Sequence, residues 1–285
     1  MLNVLEGYDL GALGFGTADT IHLIAEALKL AFADRAVATA DPDFVQVPVE
    51  HLISKATAAA RRAGLRLDRA QDWMADPTLG EGRCTTHVTV ADAAGNIVAT
   101  TQTINALFGA RVAIPGTGLI CNNYMHNFDP RPGRALSIAP GKRVFTSMSP
   151  TIVTRAGKPI VALGLPGGLR IFGSAMQAVI NLIDHGMSLQ QALEAPRIWT
   201  QGAALELEPA VPESVAEELI ARGHRVTDCA VLLGCRELGE PALVGGARLL
   251  CVVEGERCCV ETVRLRAGRE GTTRVTAQAA AFEEC

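Results

Sequence analysis

The chain has 285 residues and a formal net charge of −4, with 26 basic and 30 acidic side chains. About half of the residues are apolar and a fifth are charged, which is the composition of a globular protein with a buried core. The acidic balance and the lack of a basic stripe exclude nucleic acid as an expected partner, and no apolar run reaches the length of a membrane span. The N-terminal residues show no secretory signal, so the sequence favours a cytoplasmic location.

Eight cysteines are present, and six of them follow residue 228. Their spacing contains no C-x-x-C pair, and Cys258 and Cys259 are adjacent, which suits neither a zinc site nor a disulfide. We interpret these cysteines as reduced thiols. The sequence predicts neither a metal site nor a cofactor.

The first third of the chain favours helices. Apolar residues recur with helical spacing from Thr17 to about Ala38, and Thr17 is a suitable N-cap. A second amphipathic helix is predicted over 49–63. Residues 66–83 are polar and contain proline and glycine near their end, a composition that predicts an exposed, mobile linker.

From Thr85 onward the pattern becomes that of strands followed by helices. Apolar and polar residues alternate on both sides of Gly95-Asn96, which predicts a hairpin. The further predicted elements are a short buried strand at 118–121, a hairpin at 150–165, helices at 169–185, 188–194 and 212–222, and C-terminal strands at 247–253 and 259–265. Helices, strands and helices in this order indicate a layered α+β fold.

The strand that begins at Thr85 carries the candidate nucleophile. A threonine hydroxyl needs a base to take its proton, and the free α-amine of a first residue supplies one, with a pKa of about 7.7–8.0. Such an enzyme is made by cleavage, and a cut between Cys84 and Thr85 would separate the polar linker from the strand. On the residues alone, the pair Thr85-Thr86 is also explained by β propensity.

Pro166-Gly167-Gly168 joins a predicted strand to a predicted helix. Backbone amides at the start of a helix, without side chains in the way, suit the binding of an oxyanion. A tight strand–helix turn explains the same glycines. The pattern therefore leaves both interpretations open.

Polar side chains near the predicted strands offer further candidates. Thr146 and Ser147 precede a strand, where they either orient a substrate or satisfy backbone groups. His87 shares a strand face with Thr85 because side chains alternate along a strand. We interpret His87 as a structural histidine rather than a base.

Four motifs together carry a family resemblance. In chain order they are TTHVTVADAAGNIVATTQTIN, GLICNNYMHNFDPRPG, APGKRVFTSMSPTIV and GLPGGLR. Over roughly residues 5–227 the chain resembles the γ-glutamyltransferase (glutathione hydrolase) family of N-terminal nucleophile hydrolases. The resemblance implies an αββα sandwich, here partial, and a precursor that cuts itself into a large and a small subunit that stay together.

The resemblance also implies roles for individual residues. Thr85 would be the nucleophile and Thr103 would support it by a hydrogen bond. The glycines Gly167 and Gly168 would form the oxyanion hole. The residues implied to contact the substrate are Asn105, Tyr124, Asn127, Thr146 and Ser147. Residues 1–84 would correspond to the end of the large subunit, and 85–285 to the small subunit, with an atypical tail from about residue 228.

The sequence departs from the family pattern in its substrate positions and in its length. The family has an aspartate for the substrate's α-ammonium where this chain has Asn127, and a neutral side chain forfeits about 1–3 kcal/mol of charge-assisted bonding. This change favours an acyl group without a free amine. Family precursors are about twice as long, so most of the large subunit, including an arginine for the α-carboxylate, is expected to be missing from this chain.

Three hypotheses follow for the function. The first is an enzyme that cleaves a γ-glutamyl or related acyl amide and transfers the acyl group to water or an amine, with an acylase or small-amide amidohydrolase as a variant. The second is a non-catalytic, truncated remnant of the family. The third is that a separate chain supplies the missing large-subunit half. The expected partners are a small amide or peptide substrate and that missing half, with no nucleic acid and no membrane.

Overall fold

The structure is a computed structural model of the full chain. It describes residues 1–73, 84–92 and 94–228, and the backbone of four further strands at 243–244, 247–249, 261–267 and 273–279. The six cysteines of the tail lie outside these residues. Within them, Cys84 and Cys121 are free thiols.

The first part of the described chain is helical, as predicted. Its five helices are α1 (Leu2–Leu5), α2 (Leu10–Leu13), α3 (Ala18–Ala38), α4 (Val49–Ile53) and α5 (Lys55–Gly64). The long helix α3 begins where the sequence predicts it, because the Thr17 side chain accepts a hydrogen bond from the Thr20 amide at 3.3 Å. No helix in the described part of the chain is long and apolar enough to cross a membrane.

The single helix predicted over 49–63 is wrong, because the chain is divided at Ser54. The Ser54 backbone is extended, and its hydroxyl accepts a hydrogen bond from the Thr57 amide at 3.0 Å. A serine side chain that takes up an amide in this way favours the start of a new helix over the continuation of the old one.

The linker predicted over 66–83 is only partly described, and residues 74–83 lie outside the described residues. The preceding stretch is anchored rather than free. The Trp73 indole donates to Glu26 at 2.8 Å, Lys29 donates to the Gln71 carbonyl at 2.7 Å, and the Ala70 amide donates to the Arg222 carbonyl at 2.7 Å. Residues 66–69 are exposed, as predicted, whereas residues 70–73 contact α3 and the residue that follows α8.

The strands of the structure confirm both predicted hairpins. In chain order they are β1 (Cys84–Ala91), β2 (Ile97–Asn105), β3 (Thr151–Arg155), β4 (Lys158–Leu163), β5 (Ile198–Trp199), β6 (Leu205–Leu207), β7 (Val226–Asp228), β8 (Leu243–Val244), β9 (Ala247–Leu249), β10 (Glu261–Ala267) and β11 (Thr273–Ala279). Antiparallel pairs join β1 to β2, β3 to β4 and β10 to β11, while β9 adds in parallel to β4 and also pairs with β8. A fourth sheet in the described part of the chain has the order β5-β6-β7.

Residues 118–121 do not form the predicted buried strand. They fold back on the loop before them, with one isolated bridge between Ala113 and Ile120. Leu119 and Ile120 are 62% and 43% exposed. The pattern of such a short apolar run does not by itself show whether the run forms a buried strand. Only the packing around the run decides this.

Three helices follow the second hairpin at or near the predicted positions. They are α6 (Ile171–Ile183), α7 (Leu189–Glu194) and α8 (Glu213–Ala221), and a 3₁₀ turn at Gly168–Arg170 leads into α6. Ser188 and Gln191 form a capping box at the start of α7.

The core connects the regions before and after Thr85. Helix α3 is fully buried at Ala25 and Leu28 and packs against α6, the β5–β6 strands and α8. The opposite side of α6 packs against β4 and α7. Helices lie on strands in a layered arrangement, which confirms the α+β class. A cut before Thr85 would leave α3 held by this packing.

Candidate active site

Thr85 lies near the start of β1 and pairs with Thr103 of β2. Three polar groups contact the hydroxyl of Thr103. The Thr85 hydroxyl donates to Thr103 Oγ1 at 3.0 Å, and Thr103 donates its own proton to the Cys84 carbonyl at 2.7 Å. The Asn105 amide donates to Thr103 Oγ1 at 2.9 Å. A hydroxyl has one proton and two lone pairs, so the bonding capacity of Thr103 is completely used.

The backbone is irregular at the peptide bond that the sequence singles out. Cys84 pairs with Asn105 and Thr85 pairs with Thr103, so the register shifts between Cys84 and Thr85. Asn105 has a φ of 71°, a left-handed conformation that is uncommon for a residue other than glycine. This bulge in β2 brings the Thr103 hydroxyl onto the Cys84 carbonyl.

The structure brings most of the predicted site residues to one cavity beside Thr85. The predicted residues that line it are Thr85, Thr103, Asn105, Tyr124, Asn127, Ser147 and Gly168, and the other lining residues are Phe145, Met148, Leu169 and Ile171. Thr146 lies at its edge, 3.2 Å from the Tyr124 hydroxyl. None of the described lining residues is a carboxylate.

Gly167 and Gly168 stand at the junction of β4 with the 3₁₀ turn. Their φ angles are 133° and 58°, which residues with a Cβ rarely adopt. Neither glycine amide donates a hydrogen bond to another described residue. Free amides at the start of a helical segment suit a developing negative charge.

His87 is fully buried and structural in its contacts. Its ring nitrogens lie 2.8 Å from the hydroxyls of Thr101 and Thr89. Burial lowers the pKa of His87 to about 4, so the ring is neutral at pH 7. Its proton and its lone pair are both used by the two threonines, which supports the structural interpretation.

Gly164, which follows β4, lies directly against the His87 ring. A Cβ added at Gly164 would lie 2.2 Å from the ring. We expect Gly164→Ala to lower the free energy of unfolding by about 1–3 kcal/mol, because the buried ring has to shift. Urea denaturation measures this change. Gly64→Ala is the control, since nothing lies within 4 Å of its added Cβ, and equal stability of the two variants would contradict the prediction.

The neutral His87 also makes stability depend on pH. Its folded pKa of about 4 is below the unfolded value of 6.5, so protonation favours the unfolded chain as pH falls from 6.5 towards 4. We expect the free energy of unfolding of the wild type to fall by about 1–2 kcal/mol more than that of His87→Gln over this interval, allowing for solvent screening. Urea denaturation at pH 7.0 and about pH 4.5 tests this, and parallel losses would contradict it.

The structure adds one residue to the site that the sequence did not indicate. Arg35, in the last turn of α3, donates through Nη2 to Ser147 Oγ at 3.0 Å, and its guanidinium lies 4.2 Å from the centre of the Phe145 ring. An arginine in the last turn of a helix is already explained by the helix dipole. No local signal pointed to a contact across 112 positions of the chain.

A second contact holds the Ser147 segment to the first part of the chain. The Arg143 guanidinium and amide both bind the buried Asp41 carboxylate, at 2.7 Å each. The hydrogen bonds from Arg143 lower the pKa of Asp41 well below its usual value. This ion pair fixes the loop after α3 against the residues that precede β3.

One cluster away from the cavity has the composition of a metal site. The ligand atoms of His22, Glu26 and His224 lie within 4.8 Å of one another in the described part of the chain. The two histidines are hydrogen-bonded at 2.8 Å, and His22 also binds the Arg66 carbonyl at 2.7 Å. Lys29 lies 2.5 Å from Glu26, and its positive charge disfavours a second cation there.

Comparisons with known proteins identify the family of the chain. A family model described as gamma-glutamyltranspeptidase matches residues 1–235. The Acylase ACY 1 proenzyme of Pseudomonas sp. (strain V22) is 68% identical over 226 residues, which cover 79% of this chain and 40% of that protein. The glutathione hydrolase proenzyme of Escherichia coli (strain K12) is 37% identical over 243 residues, covering 79% of this chain and 42% of that protein.

A solved structure shows the same fold. The cephalosporin acylase of Bacillus halodurans superposes with a TM-score of 0.71 at 28% identity, covering all of this chain and 48% of that one. The chain spans about two fifths of the length of the curated relatives that it matches. The predicted N-terminal nucleophile hydrolase fold is confirmed, and the chain belongs to the gamma-glutamyltranspeptidase family.

Proposed function

We propose that the chain is the nucleophile-bearing part of an amide-cleaving acyltransferase, activated by a cut between Cys84 and Thr85. The observation that carries the proposal is the hydrogen-bonded path from the Thr85 hydroxyl through Thr103 to the Cys84 carbonyl. This path supports the proposal because one hydrogen bond joins the Thr85 hydroxyl to an acceptor and a second joins that acceptor to the carbonyl that would be attacked.

In the processing step, Thr85 Oγ1 attacks the Cys84 carbonyl carbon while its proton passes to Thr103 and Thr103 gives its own proton to the carbonyl oxygen. That proton then moves to the nitrogen as the C–N bond breaks and the carbonyl re-forms, which leaves an ester between Cys84 and the Thr85 side chain. Water then cleaves this ester, which releases the Cys84 carboxylate and leaves Thr85 with a free α-amine. That amine, with a pKa of about 7.7–8.0, becomes the base for later turnovers.

In each turnover, Thr85 Oγ1 attacks the amide carbonyl of the substrate. The Thr85 α-amine takes the hydroxyl proton, and the amides of Gly167 and Gly168 stabilise the negative charge that develops on the carbonyl oxygen. The C–N bond then breaks, and the amine leaves with the proton that the α-amine holds. The acyl group, held as an ester on Thr85, then passes to water or to a second amine. Thr103 orients the attacking hydroxyl throughout.

The acyl group is a γ-glutamyl group or a relative of it, and the site favours the acylase variant. The substrate's far end lies against Asn105, Tyr124, Asn127, Thr146 and Ser147. Because no described lining residue is a carboxylate, a substrate ammonium finds no counter-charge there. The high identity to the Acylase ACY 1 proenzyme supports the same preference. A second polypeptide segment completes the enzyme, since the chain matches only 40% of that relative.

The intact mass of the purified protein tests the proposal. We expect two fragments, 1–84 and 85–285, that separate under denaturing conditions and elute together under native conditions, because α3 lies in the shared core. The proposal would be contradicted if the chain stayed uncut and released no amine from amide substrates. The same must hold when the missing segment is supplied as a second chain. That result would establish the non-catalytic remnant instead.

A further inference from the structure

Arg35 is a buried cation without a carboxylate partner in the described part of the chain. Arg35 is 9% exposed, and its Nη1 atom is buried without a hydrogen-bond partner among the described residues. The neighbouring Asp34 pairs with Arg61, and Asp41 pairs with Arg143. A charge removed from water without a counter-ion is unfavourable, so an anion close to this guanidinium would be stabilised.

The surroundings of Arg35 keep it charged and fix its position. The guanidinium contacts two aromatic rings and lies 4.2 Å from the centre of Phe145 and 5.4 Å from that of Phe172. Such contacts stabilise a cation while they exclude water. Burial lowers the pKa of Arg35 to about 10, which still leaves it protonated at neutral pH.

The hydrogen bond from Arg35 also decides which way the Ser147 hydroxyl points. A guanidinium only donates, so Ser147 Oγ accepts from Nη2 and its own proton must point elsewhere. No acceptor for this proton is found among residues 1–73, 84–92 and 94–228. Because Ser147 lines the cavity beside Thr85, its hydroxyl offers a donor to whatever occupies that cavity.

We propose that Arg35 is a positioning residue that acts through Ser147, turning its hydroxyl into a donor and providing the positive charge that selects an anionic end group on the acyl chain. This inference rests on the proposed function for the assignment of Ser147 to the substrate. A γ-glutamyl group without its ammonium is a five-carbon chain with a carboxylate at the far end. The corresponding neutral compound carries a carboxamide there.

Two isosteric compounds, glutaric acid monoamide and glutaramide, test the inference with the full chain. In a ligand-observed NMR titration, which also reveals hydrolysis, we expect the wild type to bind the monoamide about 10-fold or more tightly than glutaramide. Arg35→Gln should bind both equally, and Arg35→Lys should keep part of the preference. Arg61→Gln, which removes the half-buried charge that pairs with Asp34, is the matched control and should keep all of the preference.

A double-mutant cycle separates positioning from a loss of folding. If Arg35 acts through Ser147, then Ser147→Ala removes most of the preference and adding Arg35→Gln changes it little further. Near-UV circular dichroism confirms that each variant is folded.

A wild type that binds both compounds equally or binds neither would overturn the inference, as would a preference unchanged in folded Arg35→Gln. These results do not depend on cleavage. If the chain is cut but does not prefer the monoamide, only this inference is contradicted. If the chain prefers the monoamide but stays uncut and inactive, only the proposed function is contradicted.

Discussion

Replacing Thr85 by alanine is expected to leave the chain uncut at 30.0 kDa and to abolish amide cleavage. The substitution removes the only group that attacks the Cys84 carbonyl in the proposed processing step, and the later nucleophile with it. Packing should be retained, because Thr85 is only half-buried and its side chain contacts a hydroxyl rather than the core. Intact-mass spectrometry and an assay of amine release measure the two effects.

Two further variants show whether the effect of Thr85→Ala comes from the loss of the hydroxyl. Thr85→Ser keeps the hydroxyl and should still be processed, whereas Thr86→Ala changes an exposed neighbour and should behave as the wild type. If Thr85→Ala were cut at the same position, another group would have to be the nucleophile. If Thr86→Ala also blocked cleavage, the effect would be one of strand structure and not of the hydroxyl.

Replacing Thr103 by valine is expected to slow processing and turnover by about 10²–10³-fold. Valine keeps the shape of the side chain but removes the acceptor for the Thr85 proton and the donor to the Cys84 carbonyl. It also leaves the Asn105 amide without its acceptor, which destabilises the bulge in β2. The appearance of the two fragments after cell-free synthesis gives the processing rate.

Thr100→Val makes the same chemical change on the same strand and provides the control. We expect it to be processed at the wild-type rate, and Thr103→Ser to recover most of the rate lost in Thr103→Val. Processing of folded Thr103→Val at the wild-type rate would show that the hydrogen-bonded path of Thr103 does not assist the cut. The proposal would then lose its principal support.

The sequence predicts correctly those helices and hairpins whose caps, repeats and turns lie within a few neighbouring residues. Helix α3 starts at a side-chain cap and follows a helical repeat, and both hairpins have alternating residues around a turn. The predictions that fail depend on surroundings. Ser54 divides a helix because its side chain binds a nearby amide. Leu119 and Ile120 stay exposed because, among the described residues, only one isolated bridge pairs with this segment.

In the candidate site, too, part of the information is local to the sequence and part arises only from the fold. The motifs that resemble the family were sufficient to propose Thr85, Thr103 and the Gly167-Gly168 pair, and the chemistry of a nucleophile and an oxyanion hole is compatible with these residue types. Their convergence on one cavity is a property of the fold. The register shift beside Thr85 follows from the pairing of two strands, and no single segment contains that information.

By itself, then, the sequence determined the α+β class and the family, and it predicted Thr85 as the nucleophile. The class follows from strand and helix periods and turn residues, which are local properties of the chain, and the family and the nucleophile follow from the resemblance of four motifs. Only the tertiary structure decided that the Thr103 hydroxyl meets the Cys84 carbonyl and that Arg35 meets Ser147. Those contacts join groups far apart in the chain, and their strength comes from burial and geometry that arise only when the layers pack.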